Sequence, residues 1–122
     1  MFKRLLTKSW PAALMMAAIF AVSSRPADTL PNLGWADAFI KKGGHVLGYA
    51  TLAVAYWRAL GWSPGRTGLA WALAVLYGIT DEVHQLFVAG RGASAGDVAL
   101  FDASGAILGL WLAGQILLRS RT

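Results

Sequence analysis

The sequence predicts an all-α fold: a polytopic transmembrane bundle of about four helices that occupies residues 1–122 as a single membrane domain. Three observations lead there. The chain is 57% hydrophobic and only 14% charged, with a mean hydropathy of +0.52, outside the usual range of soluble domains. Its apolar residues gather into four runs, comparable with the ~20 residues that cross a hydrocarbon core. Its basic residues stand mostly at the ends of those runs, where they orient helices in a bilayer.

The first run covers residues 10–22 and is opened by Pro11, a residue tolerated in a first helical turn. It is short for a span, but Lys8 can snorkel and lengthen it. "MFKRLLTK", the apolar stretch and "AVSS" also fit a secretory signal with a small-residue cleavage site. Cleaved or not, the segment places residues 24–45 outside the cell.

The second run, residues 46–62, carries Arg58 near its far end. The third, residues 68–89, contains the acidic pair Asp81–Glu82, and the fourth, residues 98–118, holds one charge, Asp102. Hydrophobicity continues around each helix, which suits lipid better than an amphipathic surface role. The resulting topology puts the N-terminus, the Arg58–Arg66 turn and the Arg119–Arg121 tail in the cytoplasm, with residues 24–45 and 87–97 outside. Gly105 and Gly109, spaced as GxxxG, read as close helix packing. The six tryptophans read mostly as interfacial anchors.

Composition also excludes function classes. Without cysteine there is no disulfide, Cys-ligated zinc or thiol nucleophile. The net charge of +5 is spread over helix ends rather than clustered, so nucleic acid is not an expected partner. No cofactor is expected either.

The topology gathers the remaining polar residues on the extracytoplasmic side. Lys42, His45 and Tyr49 follow one another at spacings of three and four and share a helical face. Tyr77, Asp81 and Gln85 form a row at i, i+4 and i+8, with Glu82 beside it. Arg91, Ser94 and Asp97 fill the outer connection, and Asp102 begins the last helix. Carboxylates at membrane depth face the bundle interior and need cations or donors there. Arg91 suits Glu82 or Asp97, since a guanidinium binds a carboxylate in bidentate fashion.

A purely structural role competes with each assignment. The residues would then pin the helices together, and Asp102 would simply complement the dipole at a helix N-terminus. Neighbours such as Asp81 and Glu82 point about 100° apart and would each need a separate partner. As chemistry, Glu82 serves as a general acid or base tuned by Asp81, and His45 or His84 moves protons near neutral pH. A metal held by His45, Glu82 and Asp97 lacks a recognised ligand spacing. A Ser94–His45–Asp97 triad lacks the G-x-S-x-G elbow. No metal is therefore assigned.

The stretches Lys42-Gly-Gly-His45-Val-Leu-Gly-Tyr49, Asp81-Glu82-Val-His-Gln85 and Arg91-Gly-Ala-Ser94-Ala-Gly-Asp97 resemble the VanZ-like membrane proteins. That family shows K-x-x-H-x-x-x-Y, D-E-x-x-Q and R-x-x-S-x-x-D in this order. The likeness covers about residues 41–110, including the glycine-rich "GAILG" helix. Asp102 departs from it, standing where an asparagine is frequent. The resemblance implies a polytopic protein of the bacterial cytoplasmic membrane and a context in the cell envelope, where the founding member is associated with low-level teicoplanin resistance.

Two functions fit these residues. In the first, the pocket binds membrane lipid or an anionic lipid-linked or cell-wall ligand in an accessory role. Lys42 and Arg91 then hold the anion, while Tyr49, Gln85, Ser94, Asp97 and Asp102 shape the site. In the second, Glu82, Asp81 and His45 perform acid/base catalysis on such a substrate. An ion pathway is a third reading, weakened because only Arg58 continues the polar row toward the cytoplasm. The oligomeric state is not legible in the sequence.

Overall fold

A computed structural model describes residues 2–23, 37–87 and 101–120. Four helices account for most of them: α1 (Phe2–Ser23), α2 (Asp37–Ala59), α3 (Thr67–Gln85) and α4 (Ala103–Ser120). A single 3-10 turn, Pro64–Arg66, joins α2 to α3. The all-α class and the four helices agree with the sequence, and no strand occurs among the described residues.

Interhelical contacts set the directions. Arg58 near the end of α2 reaches Thr7 and Lys8 near the start of α1, so these two helices run antiparallel. Tyr77 and His84 on α3 meet Met16 and Phe20 on α1 in the same order, so α1 and α3 run parallel. Gly105 and Gly109 on α4 meet Val46 and Ala50 on α2, again in the same order. The bundle therefore alternates up, down, up, down. The start of α1, the end of α2, the start of α3 and the end of α4 share one end.

Two helix starts differ from the sequence reading. Helix α1 begins at Phe2 rather than residue 10, which puts Pro11 inside it. Proline has no N–H to give the carbonyl four residues earlier. Here that carbonyl is Thr7 O, which accepts from Arg58 Nη1 at 3.2 Å. A neighbouring helix thus satisfies the group that proline leaves open. Helix α2 begins at Asp37, well ahead of the apolar run that starts at residue 46, and includes His45 on the helical face it shares with Tyr49.

The end of α2 is built by local chemistry. Gly61 takes φ 83° and Trp62 φ 59°. Trp62 N–H donates to Trp57 O and Gly61 N–H to Arg58 O, both at 3.0 Å. This is a Schellman cap, which calls for an apolar contact across the same residues. The rings of Trp57 and Trp62 supply it edge to face, 5.3 Å apart. Gly61→Ala should cost about 1 kcal/mol, because an L-residue is strained at positive φ. A thermal melt of the purified protein in detergent checks this, and an unchanged midpoint refutes it.

The core is narrow and made of small residues. Ala53, Trp57, Ala70, Ala74, Ala106 and Leu110 pack together between α2, α3 and α4. Gly105 and Gly109 set the α2–α4 spacing, because a Cβ at either would come within 2.5 Å of the carbonyl oxygen of Val46 or Ala50. The expected glycine packing is present. Helix α1 lies outside this core, and its only buried apolar residue is Ala12.

Outward, the bundle shows Leu14, Phe20, Leu76, Val83, Trp111 and Ile116, while Asp81, Glu82, Gln85 and Asp102 are buried. Apolar outside and polar inside is the reverse of a water-soluble bundle, and it suits a lipid environment. Among the described residues, one helix, over Phe2–Val22, is long and apolar enough to cross a membrane, and Ala103–Leu117 is a shorter apolar helix. Two tryptophans expected at interfaces serve the bundle instead. Trp57 Nε1 donates to Ser63 O at 2.7 Å, and Trp71 Nε1 donates to Ala103 O at 3.1 Å.

Candidate functional site

The buried polar groups meet at the end of the bundle formed by the first half of α2, the last turns of α3 and the start of α4. Helix α2 presents His45 and Tyr49 from one face, as their spacing of four requires. Helix α3 buries Ala70, Ala74, Gly78, Asp81, Glu82 and Gln85 along a single stripe. The small residues bring α3 close to its neighbours, and the carboxylates follow on the same side one turn later.

Asp102 is the innermost member, 1% exposed, in a wide π-type turn ahead of Ala103. Its Oδ1 lies 3.1 Å from His45 Nδ1. With Asp102 ionised, Nδ1 carries the proton and donates it, which leaves Nε2 as the ring's free lone pair. The imidazole side chain is 33% exposed, so His45 opens toward the surroundings while its partner stays sealed. Asp102 does stand at a helix N-terminus, where a negative charge is favoured. Its hydrogen bond to a distant helix goes beyond that role.

Asp81 forms the second centre. Its Oδ2 accepts from Tyr49 O–H at 3.4 Å and from Gln85 Nε2 at 3.5 Å. Its Oδ1 is buried and has no hydrogen-bond partner among the described residues. A buried acceptor without a donor is costly, so this oxygen is a natural point for a ligand donor. Tyr49, 1% exposed, links the two centres. Its ring lies parallel to that of His45 at 6.1 Å, and its hydroxyl reaches Asp81. Glu82 is buried on the same stripe, and His45 lies within the electrostatic reach of Asp102, Asp81 and Glu82.

The structure therefore unites His45, Tyr49, Asp81, Glu82, Gln85 and Asp102. Lys42 lies one turn before His45 on α2, but its side chain is outside the described residues, as are Arg91, Ser94 and Asp97. The pairing of Arg91 with Glu82 or Asp97 falls there too. Tyr77, expected in a row with Asp81 and Gln85, turns to α1 and donates to Met16 O. His84 also faces α1, stacked on Phe20 with ring centroids 4.4 Å apart. Among the described residues, no three His, Asp or Glu side chains are arranged to hold a metal ion.

Gly78 is the residue that spacing arguments passed over. A Cβ there would stand 3.0 Å from Asp102 Oδ2 and 3.4 Å from Tyr49 Cε1. Glycine is what lets the buried carboxylate and the tyrosine ring lie against α3. The signal was present as Ala70, Ala74 and Gly78 at four-residue spacing, running into Asp81–Glu82.

The family model described as VanZ/LLP1 matches residues 8–118, nearly the whole chain and all the site residues. The chain belongs to the VanZ family. As a VanZ-family protein it is a membrane protein, in keeping with the apolar exterior and the candidate span. Comparison with curated proteins and with solved structures returned no match. His45, Tyr49, Asp81 and Gln85, which carry the resemblance in the sequence, lie together at one end of the bundle with Asp102 beside them.

Proposed function

We propose that this chain is a multi-pass protein of the bacterial cytoplasmic membrane whose polar end performs acid/base chemistry on a lipid-linked or cell-wall substrate. The observation that carries the reading is His45, one-third exposed and held through Nδ1 by a fully buried Asp102. A histidine whose tautomer and direction are set by a buried carboxylate is prepared to take a proton at Nε2. This moves the proton-carrying role from Glu82 toward His45. Glu82 supplies the complementary proton, Asp81 offers an acceptor to the substrate, and Tyr49 and Gln85 orient Asp81. Lys42 and Arg91 are assigned to the anionic group of the substrate.

The orientation that supports this function has both termini in the cytoplasm and the polar end outside. Lys3, Arg4, Lys8, Arg58, Arg66 and Arg119 lie on segments at the opposite end, as the positive-inside rule favours.

A second reading keeps the pocket and drops the turnover: an accessory protein that holds a lipid head group or a glycopeptide such as teicoplanin. The buried Oδ1 of Asp81, without a partner among the described residues, favours it, since a bound donor would satisfy that oxygen. Glu82→Gln separates the two readings, because it keeps the shape and hydrogen-bonding capacity and removes the ionisable proton. At matched membrane abundance, the variant is expected to lose the envelope phenotype and to accumulate unprocessed lipid-linked precursors by mass spectrometry. Survival of the phenotype would leave binding as the function.

A further inference from the structure

Asp81 is 4% exposed, and its two oxygens are served unequally. Oδ2 takes the hydroxyl of Tyr49 at 3.4 Å and the amide of Gln85 at 3.5 Å, both longer than ordinary hydrogen bonds. Oδ1 is buried and has no hydrogen-bond partner among the described residues. No lysine or arginine among those residues pairs with Asp81, and the nearby imidazole of His45 gives its Nδ1 to Asp102.

A carboxylate taken out of water needs positive charge as well as donors. Tyr49 and Gln85 are neutral donors and meet only the second requirement, at one oxygen. A cationic N–H donor on Oδ1 would meet both, through a charge-assisted bond about twice as strong as a neutral one. The outward member of the cluster is His45, with one third of its side chain exposed. Its ring lies parallel to that of Tyr49 at 6.1 Å, and Tyr49 O–H in turn reaches Asp81. A ligand approaching from the His45 side therefore meets the elements that hold Asp81.

We infer that Asp81 accepts, at Oδ1, a primary ammonium group of the ligand, carried by a phospholipid head group or by a free amine. The inference rests on reading the polar end as a ligand site, and it holds with or without turnover there. A quaternary ammonium has no N–H to give Oδ1 and is excluded as the preferred group. In the orientation proposed above, the head groups concerned are those of the outer leaflet.

Native mass spectrometry of the purified full chain tests this with phosphatidylethanolamine, phosphatidylcholine and phosphatidylglycerol that share the same acyl chains. The wild type is expected to retain phosphatidylethanolamine about tenfold better than either of the others, equivalent to ~1.4 kcal/mol. Asp81→Asn keeps the size and an acceptor oxygen but removes the charge, and should abolish that preference. Circular dichroism confirms folding, and the three-lipid comparison in the wild type carries the test if the variant unfolds. Excess ethanolamine distinguishes the sources: displacement of the lipid shows that the free amine suffices, and retention shows that the whole head group is recognised. Equal retention of phosphatidylethanolamine and phosphatidylcholine by the wild type overturns the inference, as does an undiminished preference in a folded Asp81→Asn. The acid/base reading fails separately, if His45→Ala keeps the envelope phenotype while the wild type still prefers phosphatidylethanolamine.

Discussion

Gly109→Leu is expected to separate α2 from α4 and remove most of the folded protein from the membrane. A Cβ at Gly109 would fall 2.5 Å from Ala50 O and 2.7 Å from Ala50 Cα. Both are backbone atoms, so no side chain can swing aside. Overpacking a close contact costs about 1–3 kcal/mol and occasionally more, a large share of the ~5–15 kcal/mol that keeps a domain folded. Gly105→Leu should behave alike, since its Cβ would meet Val46 O at 2.5 Å. Gly114→Ala on the same helix is the control. It has open space and should gain about 0.5–1 kcal/mol from helix propensity. Melting curves in detergent decide the matter. If Gly105→Leu and Gly109→Leu melt with the wild type, the helices do not touch where the structure puts them.

The largest functional effect is expected at His45 and Asp102. On the proposed acid/base function, His45→Ala should lower turnover by about 10²–10⁴-fold, the usual worth of a general acid or base. Abundance should hold, because the ring is one-third exposed. Asp102→Ala should lose function to a similar degree, because His45 then lacks its orienting acceptor. It should also destabilise the protein by about 1–3 kcal/mol through the lost hydrogen bond. Asp102→Asn keeps an oxygen acceptor and removes the charge, so it should fall between the two. Imidazole ¹⁵N spectra give a readout independent of the assay. The wild type should show His45 protonated at Nδ1, and Asp102→Ala should lose that signature. A wild-type ring protonated only at Nε2, or full function in His45→Ala, would sink the acid/base assignment.

Much of this arrangement was legible along the chain because it depends on spacing within one segment. His45 and Tyr49 are four residues apart on α2, and their rings lie parallel. Asp81 and Gln85 are four apart on α3, and they hydrogen-bond. Gly105 and Gly109 repeat every four residues and produce the close contact that such spacing permits. The starts of α1 and α2 were not legible. Their first turns carry lysines and glycines that lower local hydropathy, while helix formation itself depends on backbone hydrogen bonding and packing. Pro11 reads as a helix start in the sequence, which cannot show that Arg58, 47 residues later, serves the carbonyl it leaves open.

By itself the sequence determined an apolar four-helix chain with a polar end, a basic opposite end and a glycine-spaced fourth helix, because hydropathy and helical period are local properties. Tertiary structure decided who meets whom. It joined His45 to Asp102 across 57 residues, turned Tyr77 and His84 toward α1, and made Gly78 the seat of a buried carboxylate. A helical repeat states which residues share a face. The rotation and depth at which that face meets another helix come from packing, and those two quantities turned Asp102 from a charge at a helix end into the partner of His45.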